Sequence, residues 1–355
     1  MATLAAERLA QAVRAQPPVD RAVIVTMSAI EPTQVRWIWE GRIPLGKLSL
    51  VAGEPGSGKS TLIMECAAHI TTGTQWPDGS LGCSGDVLLL AAEDNPGDTI
   101  RPRLNAAGAD ASRVHLLKAI QSSDGEERNF DLTRDLDPLK FAIEQYRPKL
   151  VSIDPVNAYL GDTDEWRDTS VKKALIPLVK LAEEYECAIV GVTHLSKSQG
   201  RKALHRVLGS IGYTGTARHV MAVAADPEDN DLRYFLWVKS NAGPPSETLG
   251  FRIVEQRIEW EPQPATGINA DAIMSGFPGD PSESKDAKAF VEEMLADGQW
   301  MASKTLIAEA RAIGINANTL QGAMRRLGVE KKRIGFGSSG IWNSRLPRSS
   351  RDAID

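Results

Sequence analysis

The chain has 355 residues, 42% hydrophobic and 25% charged, with a formal net charge of −5 at pH 7. That length suffices for a large buried core and two or three domains, and the charge excludes a globally basic coat for nucleic acid. No apolar run approaches the roughly 20 residues that span a bilayer. Glu7, Arg8 and Arg14 occupy the stretch where a secretory signal would be apolar, so a cytoplasmic protein with no membrane partner is expected. Cys66, Cys83 and Cys187 are too scattered for a disulfide framework and have no His or Cys at metal-ligand spacing, so they read as small apolar residues.

In chain order, the first predicted element is an Ala-rich helix over residues 1–16, broken by Gln16-Pro17-Pro18 within a lead-in that runs to residue 34. An α/β region then covers 35–262. Leu48 to Ala52, Val87 to Ala92, Val114 to Leu117, Leu150 to Ile153 and Ala188 to Val192 are apolar at consecutive positions more than at alternate ones. Parallel strands buried on both faces have this pattern, which predicts a mainly parallel sheet. Helices are predicted at Ser60 to Ile70, Thr99 to Ala107, Asp135 to Tyr146 and Val171 to Tyr185, the last kinked at Pro177. Further strands are expected at His219 to Ala224, at Tyr234 to Val238, and over Phe251 to Trp260 with a turn near Gln256.

Residues 263–284 are rich in Pro, Gly, Ser and Asp without apolar periodicity and predict a linker. A small domain follows over 285–347, with a tail at 348–355. Its three helices are marked by Phe290, Met294 and Leu295, by Leu306, Ile307 and Ala310, and by Leu320, Ala323, Met324 and Leu327. Two extended runs follow, Lys331 to Gly335 and Gly340 to Trp342, and that order predicts a winged helix-turn-helix. From Lys285 to the C-terminus, 12 Lys plus Arg stand against 8 Asp plus Glu, so positive charge concentrates here. Gln321 and Arg325, four apart on the third helix, share a face. With Arg326 and the hairpin residues Lys331, Lys332 and Arg333 they are candidate contacts to duplex DNA.

The strongest local signal is Gly53-Glu54-Pro55-Gly56-Ser57-Gly58-Lys59-Ser60, set between an apolar run and a helix that continues from Thr61. A strand, a Gly-rich turn and a helix make a triphosphate cradle, because the glycines let backbone N–H groups converge on phosphate where the helix adds its positive end. ATP and Mg²⁺ are therefore the expected ligands. Lys59 would reach the β- and γ-phosphates and Ser60 the metal. Asp154, at the end of Leu150 to Ile153, is the second candidate on the metal side. Pro155 stands where many P-loop ATPases place a catalytic Glu, so the general base is sought one strand over, at Glu93, with Asp94 as its competitor. His194 ends another apolar run and is a candidate γ-phosphate sensor. Lys197, Arg201, Lys202 and Arg206 fall within ten residues, beside Gly200 and without an acid, which suits a nucleic-acid backbone.

This order of motifs resembles the RecA/DnaB-like ATPases, and most closely the RepA-like branch of AAA-type ATPases of plasmids, phages and mobile elements, over residues 35–260. The carriers are Trp39-Glu-Gly-Arg-Ile-Pro-Leu-Gly-Lys-Leu48, Ala92-Glu-Asp94, Arg103-Leu-Asn-Ala-Ala-Gly-Ala-Asp110 and Ser152-Ile-Asp-Pro155. The resemblance implies a RecA-like core, a homo-oligomeric ring, commonly hexameric, with ATP at each interface, and single-stranded DNA in a central channel. It also implies a Lys and an Arg finger that enter the neighbour's ATP site from a Lys-x-Arg-x-Gly-Pro segment. Here Val238-Lys-Ser-Asn-Ala-Gly-Pro244 keeps Lys239 but has Asn241 at the finger position, which leaves Arg218 as the substitute candidate. The C-terminal domain resembles the winged helix that follows several such ATPases. Two functions are expected: an ATP-hydrolysing DNA motor, such as a replicative helicase or translocating ATPase, or an ATP-switched DNA-binding regulator or loader.

Overall fold

The computed structural model describes residues 24–123, 125–161, 168–195, 203–207, 211–227, 229, 231–274, 281–315, 317–334 and 341–347. Residues Met1–Gln34 form a unit of their own, in which the described part contains one 3-10 turn, Met27–Ala29. The helix expected over 1–16 lies outside the described residues. All further elements belong to a second unit, Val35–Asp355.

A short hairpin, β1 (Trp37–Trp39) and β2 (Ile43–Pro44), leads into the main sheet. Every residue of β3 (Leu48–Gly53) is buried, and so are the first four of β4 (Val87–Ala91). The side chains alternate between two cores. Leu48, Leu50, Ala52, Leu88 and Leu90 join one, whereas Val51, Val87 and Leu89 join the other. A strand apolar on both faces needs a helical layer on each side, and the chain provides both. α1 (Lys59–Thr72) and α2 (Arg101–Ala107) cover one face through Leu62, Ile63 and Leu104. Beyond β5 (Val114–Leu116) and the small hairpin of β6 (Ile120–Gln121) and β7 (Glu127–Arg128), α3 (Leu136–Tyr146) and α4 (Asp168–Tyr185) cover the other through Leu139, Ile143, Leu175 and Leu178. α4 runs on through Pro177.

With β8 (Leu150–Asp154), β9 (Ala188–His194), β10 (His219–Ala225), β11 (Arg233–Ser240), β12 (Leu249–Val254) and β13 (Arg257–Trp260), the sheet has nine strands in the order β13-β12-β11-β10-β3-β9-β8-β4-β5. From β10 to β5 all pairings are parallel; β11, β12 and β13 continue antiparallel. The carboxyl ends of β3, β9, β8 and β4 therefore share one edge, where ligands bind to open α/β sheets.

The segment expected to be a linker contains α7 (Ala270–Met274), which follows the four-residue α5 (Ala203–Arg206) and α6 (Ile211–Thr216) in chain order. Ile268, Ala270, Ile273 and Met274 are buried with Ala222, Tyr234 and Leu236 of β10 and β11. Four apolar side chains among many polar ones sufficed to fasten the segment, and no periodicity announced them. The C-terminal part contains α8 (Pro281–Met294), β14 (Met301–Ala302), α9 (Ser303–Ala312), α10 (Ala317–Arg326), β15 (Glu330–Ile334) and β16 (Ile341–Arg345). Its helices enclose Ala287, Val291, Leu295, Leu306, Leu320 and Met324, beside a three-stranded antiparallel sheet ordered β14-β16-β15. Among the described residues no helix is long and apolar enough to cross a membrane.

Candidate active site

Each glycine of the loop between β3 and α1 meets a separate demand. Gly56 and Gly58 have φ of +74° and +98°, where a side chain is strained. Gly53 lacks room: a Cβ there would lie 2.6 Å from both Ser57 Oγ and the Val223 carbonyl oxygen. At Gly58 a Cβ would stand 2.7 Å from Ile253 Cδ1 on β12. α1 starts without a side-chain cap, so the N–H groups of its first turn face the loop unsatisfied by a capping side chain. That leaves a set of donors suited to phosphate oxygens. The Ser57 hydroxyl is buried without a partner among the described residues. Lys59 is 6% exposed, and its Nζ donates to the carbonyls of Gly53 at 3.1 Å and Glu54 at 2.9 Å. Burial lowers its pKa, while Asp154, Glu93 and Glu54 pull it back up. Among the described residues, an ammonium held by carbonyls alone, beside an unpartnered hydroxyl and uncapped amides, fits a polyphosphate.

The other candidates meet at the same edge. Asp154 ends β8 opposite Ala91 of β4, so Glu93, two residues beyond Ala91, emerges beside it. Burial raises the Asp154 carboxyl to about 6, against the Ser60 hydroxyl that donates to it and the nearby Lys59 charge. Ser60 and Asp154 offer two hard oxygen ligands, and no group of three His, Cys, Asp or Glu side chains among the described residues could hold a metal alone. A magnesium site completed by phosphate oxygens and water has this donor set. Asp94 is committed elsewhere: Arg103 Nη1 donates to its Oδ2 at 2.7 Å. Glu93 lines the same cleft with no such partner among the described residues, along with Met64, Arg103 and Ile253. His194 pairs in register with Gly53, which places it at the mouth of the loop.

Several predicted residues lie apart from this cluster. Arg218 is exposed at the start of β10, where its N–H bonds the Leu48 carbonyl, and Lys239 of β11 pairs in register with Val220. Both therefore sit at the amino end of β3, opposite the phosphate loop. Lys239 Nζ donates to the carbonyl oxygens of Thr214 at 2.6 Å and Ala217 at 3.5 Å, and burial lowers its pKa. Lys197, Arg201 and Lys202 lie outside the described residues, as does the Arg326 side chain. Arg206 does not face solvent: it is 8% exposed and bonds Glu54 and the Met274 carbonyl. The predicted DNA face of the third helix also requires correction. Gln321 is buried and accepts from Lys331 Nζ at 2.9 Å. Arg325 donates from Nη1 to Asp226 Oδ2 at 2.5 Å and from Nη2 to the Tyr234 hydroxyl at 2.7 Å. Desolvation takes Lys331 down to about 8, and the Arg325 charge adds to this. Gln321 and Arg325 lie four apart as expected, but both side chains are engaged within the unit, Gln321 by Lys331 and Arg325 by Asp226 and Tyr234. Lys332 and Arg333 are exposed on β15.

A mostly parallel α/β sheet with a phosphate loop at its carboxyl edge defines a P-loop ATPase domain of the RecA-like type. The chain belongs to the AAA domain family, whose pattern matches residues 12–200, just over half of its length. Over 135 residues it is 30% identical to the circadian clock oscillator protein KaiC of Picosynechococcus sp., an alignment that covers 36% of this chain and 24% of that protein. Over 304 residues it is 24% identical to the DNA repair protein RadA of Bacillus subtilis, covering 83% of this chain and 57% of RadA. The chain thus spans about a quarter of KaiC and little more than half of RadA.

Proposed function

We propose that the protein is an ATP-hydrolysing, ring-forming DNA motor of the RepA-like kind. The observation that carries this reading is the meeting of Lys59, Ser60, Asp154 and Glu93 at one sheet edge. In it, Lys59 leaves the loop carbonyls for the β- and γ-phosphates of ATP, and the loop amides hold the β-phosphate. Mg²⁺, when bound through Ser60 and Asp154, neutralises charge that develops on the phosphates. Glu93 accepts the proton of a water as its oxygen bonds the γ-phosphorus and the bond to ADP breaks. His194, between loop and water, senses the γ-phosphate. Lys197, Arg201 and Lys202 contact single-stranded DNA, and Arg218 and Lys239 serve the ATP site of the next subunit. The C-terminal part is a winged helix. Its docked Arg325 counts against duplex reading by α10, which weakens the regulator alternative, while Lys332 and Arg333 stay exposed on β15. The name of RadA, a DNA repair protein, supports an action on DNA.

The test is ATP turnover with and without single-stranded DNA. Lys59→Ala is expected to abolish turnover, and Glu93→Gln to keep ATP binding while turnover falls about 10²- to 10⁴-fold. DNA is expected to raise wild-type turnover, and Lys202→Ala to blunt that rise. Turnover indifferent to DNA and to Lys202→Ala overturns the motor reading. A strand-displacement assay then decides unwinding.

A further inference from the structure

Arg206 is nearly buried, yet it does not point into a uniform environment. Nη2 donates to Glu54 Oε1 at 3.0 Å, and Nη1 donates to the carbonyl of Met274, the last residue of α7. Its Nε is buried with no partner among the described residues. Glu54 is the second residue of the phosphate loop, and its side chain is 68% exposed. Its own carbonyl accepts from Lys59 Nζ at 2.9 Å. A single loop residue therefore touches Arg206 through its side chain and Lys59 through its main chain.

A carboxylate is an unfavourable choice in a loop that receives a polyanion, because a negative charge a few ångströms from the phosphates opposes their binding. A guanidinium brought in from outside the loop offsets it. Arg suits this task better than Lys, since its planar fork serves two acceptors in different directions while keeping its charge. The anchor on α7 fixes the guanidinium, and the guanidinium in turn fixes Glu54. The location is equally specific. Leu195 and Val207 form an isolated antiparallel bridge, so His194 and Arg206 stand at the two feet of the intervening segment. One foot pairs with Gly53 and the other with Glu54, the first two residues of the loop.

We infer that Arg206 is a positioning residue of the phosphate loop, neutralising and orienting Glu54 so that the loop accepts a triphosphate. The inference rests on the ATP-binding reading above. Its test is the dissociation constant of a fluorescent ATP analogue with Mg²⁺, measured for wild type, Arg206→Gln, Glu54→Gln and the double variant. Arg206→Gln is expected to weaken binding about ten-fold in the wild-type background and less than about two-fold in the Glu54→Gln background. Equal weakening in both backgrounds, or none in either, overturns it, because a merely structural role of Arg206 would not depend on the Glu54 charge. If Arg206→Gln does not fold, the uncharged Arg206→Met replaces it in the same cycle: weakening that shrinks in the Glu54→Gln background supports the inference, and equal weakening or none overturns it. Failure of the wild type to bind the analogue would instead remove the ATP reading.

Discussion

His219 begins β10 with no exposed surface, its ring edge-on to Trp37 at 5.9 Å between centroids and its Nε2 3.1 Å from the Met221 sulfur. Burial holds its pKa down to about 4, and the Arg42 charge pushes the same way. The folded imidazole therefore stays neutral where an unfolded one, with a pKa of about 6.5, takes a proton. Its contribution is fully present above that value, is lost as pH falls towards about 4, and changes no further below. The loss amounts to about 3 kcal/mol. Urea midpoints at pH 7 and pH 4.5 should show the wild type losing markedly more stability on acidification than His219→Phe, whatever their stabilities at pH 7. Parallel declines would mean that other groups carry the acid sensitivity. Residues of this kind were illegible in the sequence, where a lone His before an apolar run carries no sign of what surrounds it. The phosphate loop was legible because its glycines, Lys59 and Ser60 act within eight consecutive positions. Arg206 shows the converse: its charge was read correctly and its partner was not, since Glu54 lies 152 residues away in sequence.

At the scale of elements, α10 is where pattern and partner separate most clearly. Leu320, Ala323 and Met324 marked the helix, and all three are buried in the core formed with α8 and α9. Its polar face was expected to meet DNA, but Arg325 instead reaches the loop between β10 and β11, 99 residues away. Asp226, 3% exposed, accepts there from Arg325, from the Tyr234 hydroxyl at 2.6 Å and from the Asp229 amide at 3.0 Å. A buried carboxylate deprived of its cation is costly, although the 35% exposure of the Arg325 side chain moderates the effect. A double-mutant cycle of Arg325→Ala and Asp226→Asn is expected to give a coupling energy of about 1–3 kcal/mol in urea unfolding. Additive losses would show that the Arg325–Asp226 contact does not help to hold α10. The parallel strands were legible for the opposite reason. Burial on both faces leaves continuous apolar runs, and their partners need not be known for the runs to be recognised.

For the molecule as a whole, the two ends of β3 pose a geometric problem. The phosphate loop begins at Gly53, while Arg218 bonds the Leu48 carbonyl at the other end. Five strand steps separate them by roughly 17 Å, too far for an arginine to reach the triphosphate of its own subunit. In a ring the same separation is useful, since one end of the sheet can present ATP and the other can complete the site of a neighbour. Arg218 is exposed and suits that task better than Lys239, which is engaged with the Thr214 and Ala217 carbonyls. The two arrangements differ in a mixing experiment. Lys59→Ala subunits keep an intact Arg218, and Arg218→Ala subunits keep an intact phosphate loop, so each preparation alone should be inactive. Random assembly of equal amounts joins an intact loop to an intact arginine at about a quarter of the interfaces, and turnover should recover to about that fraction of wild type. A mixture as inactive as its components would place the function of Arg218 within its own subunit, and an Arg218→Ala preparation active by itself would place it outside catalysis.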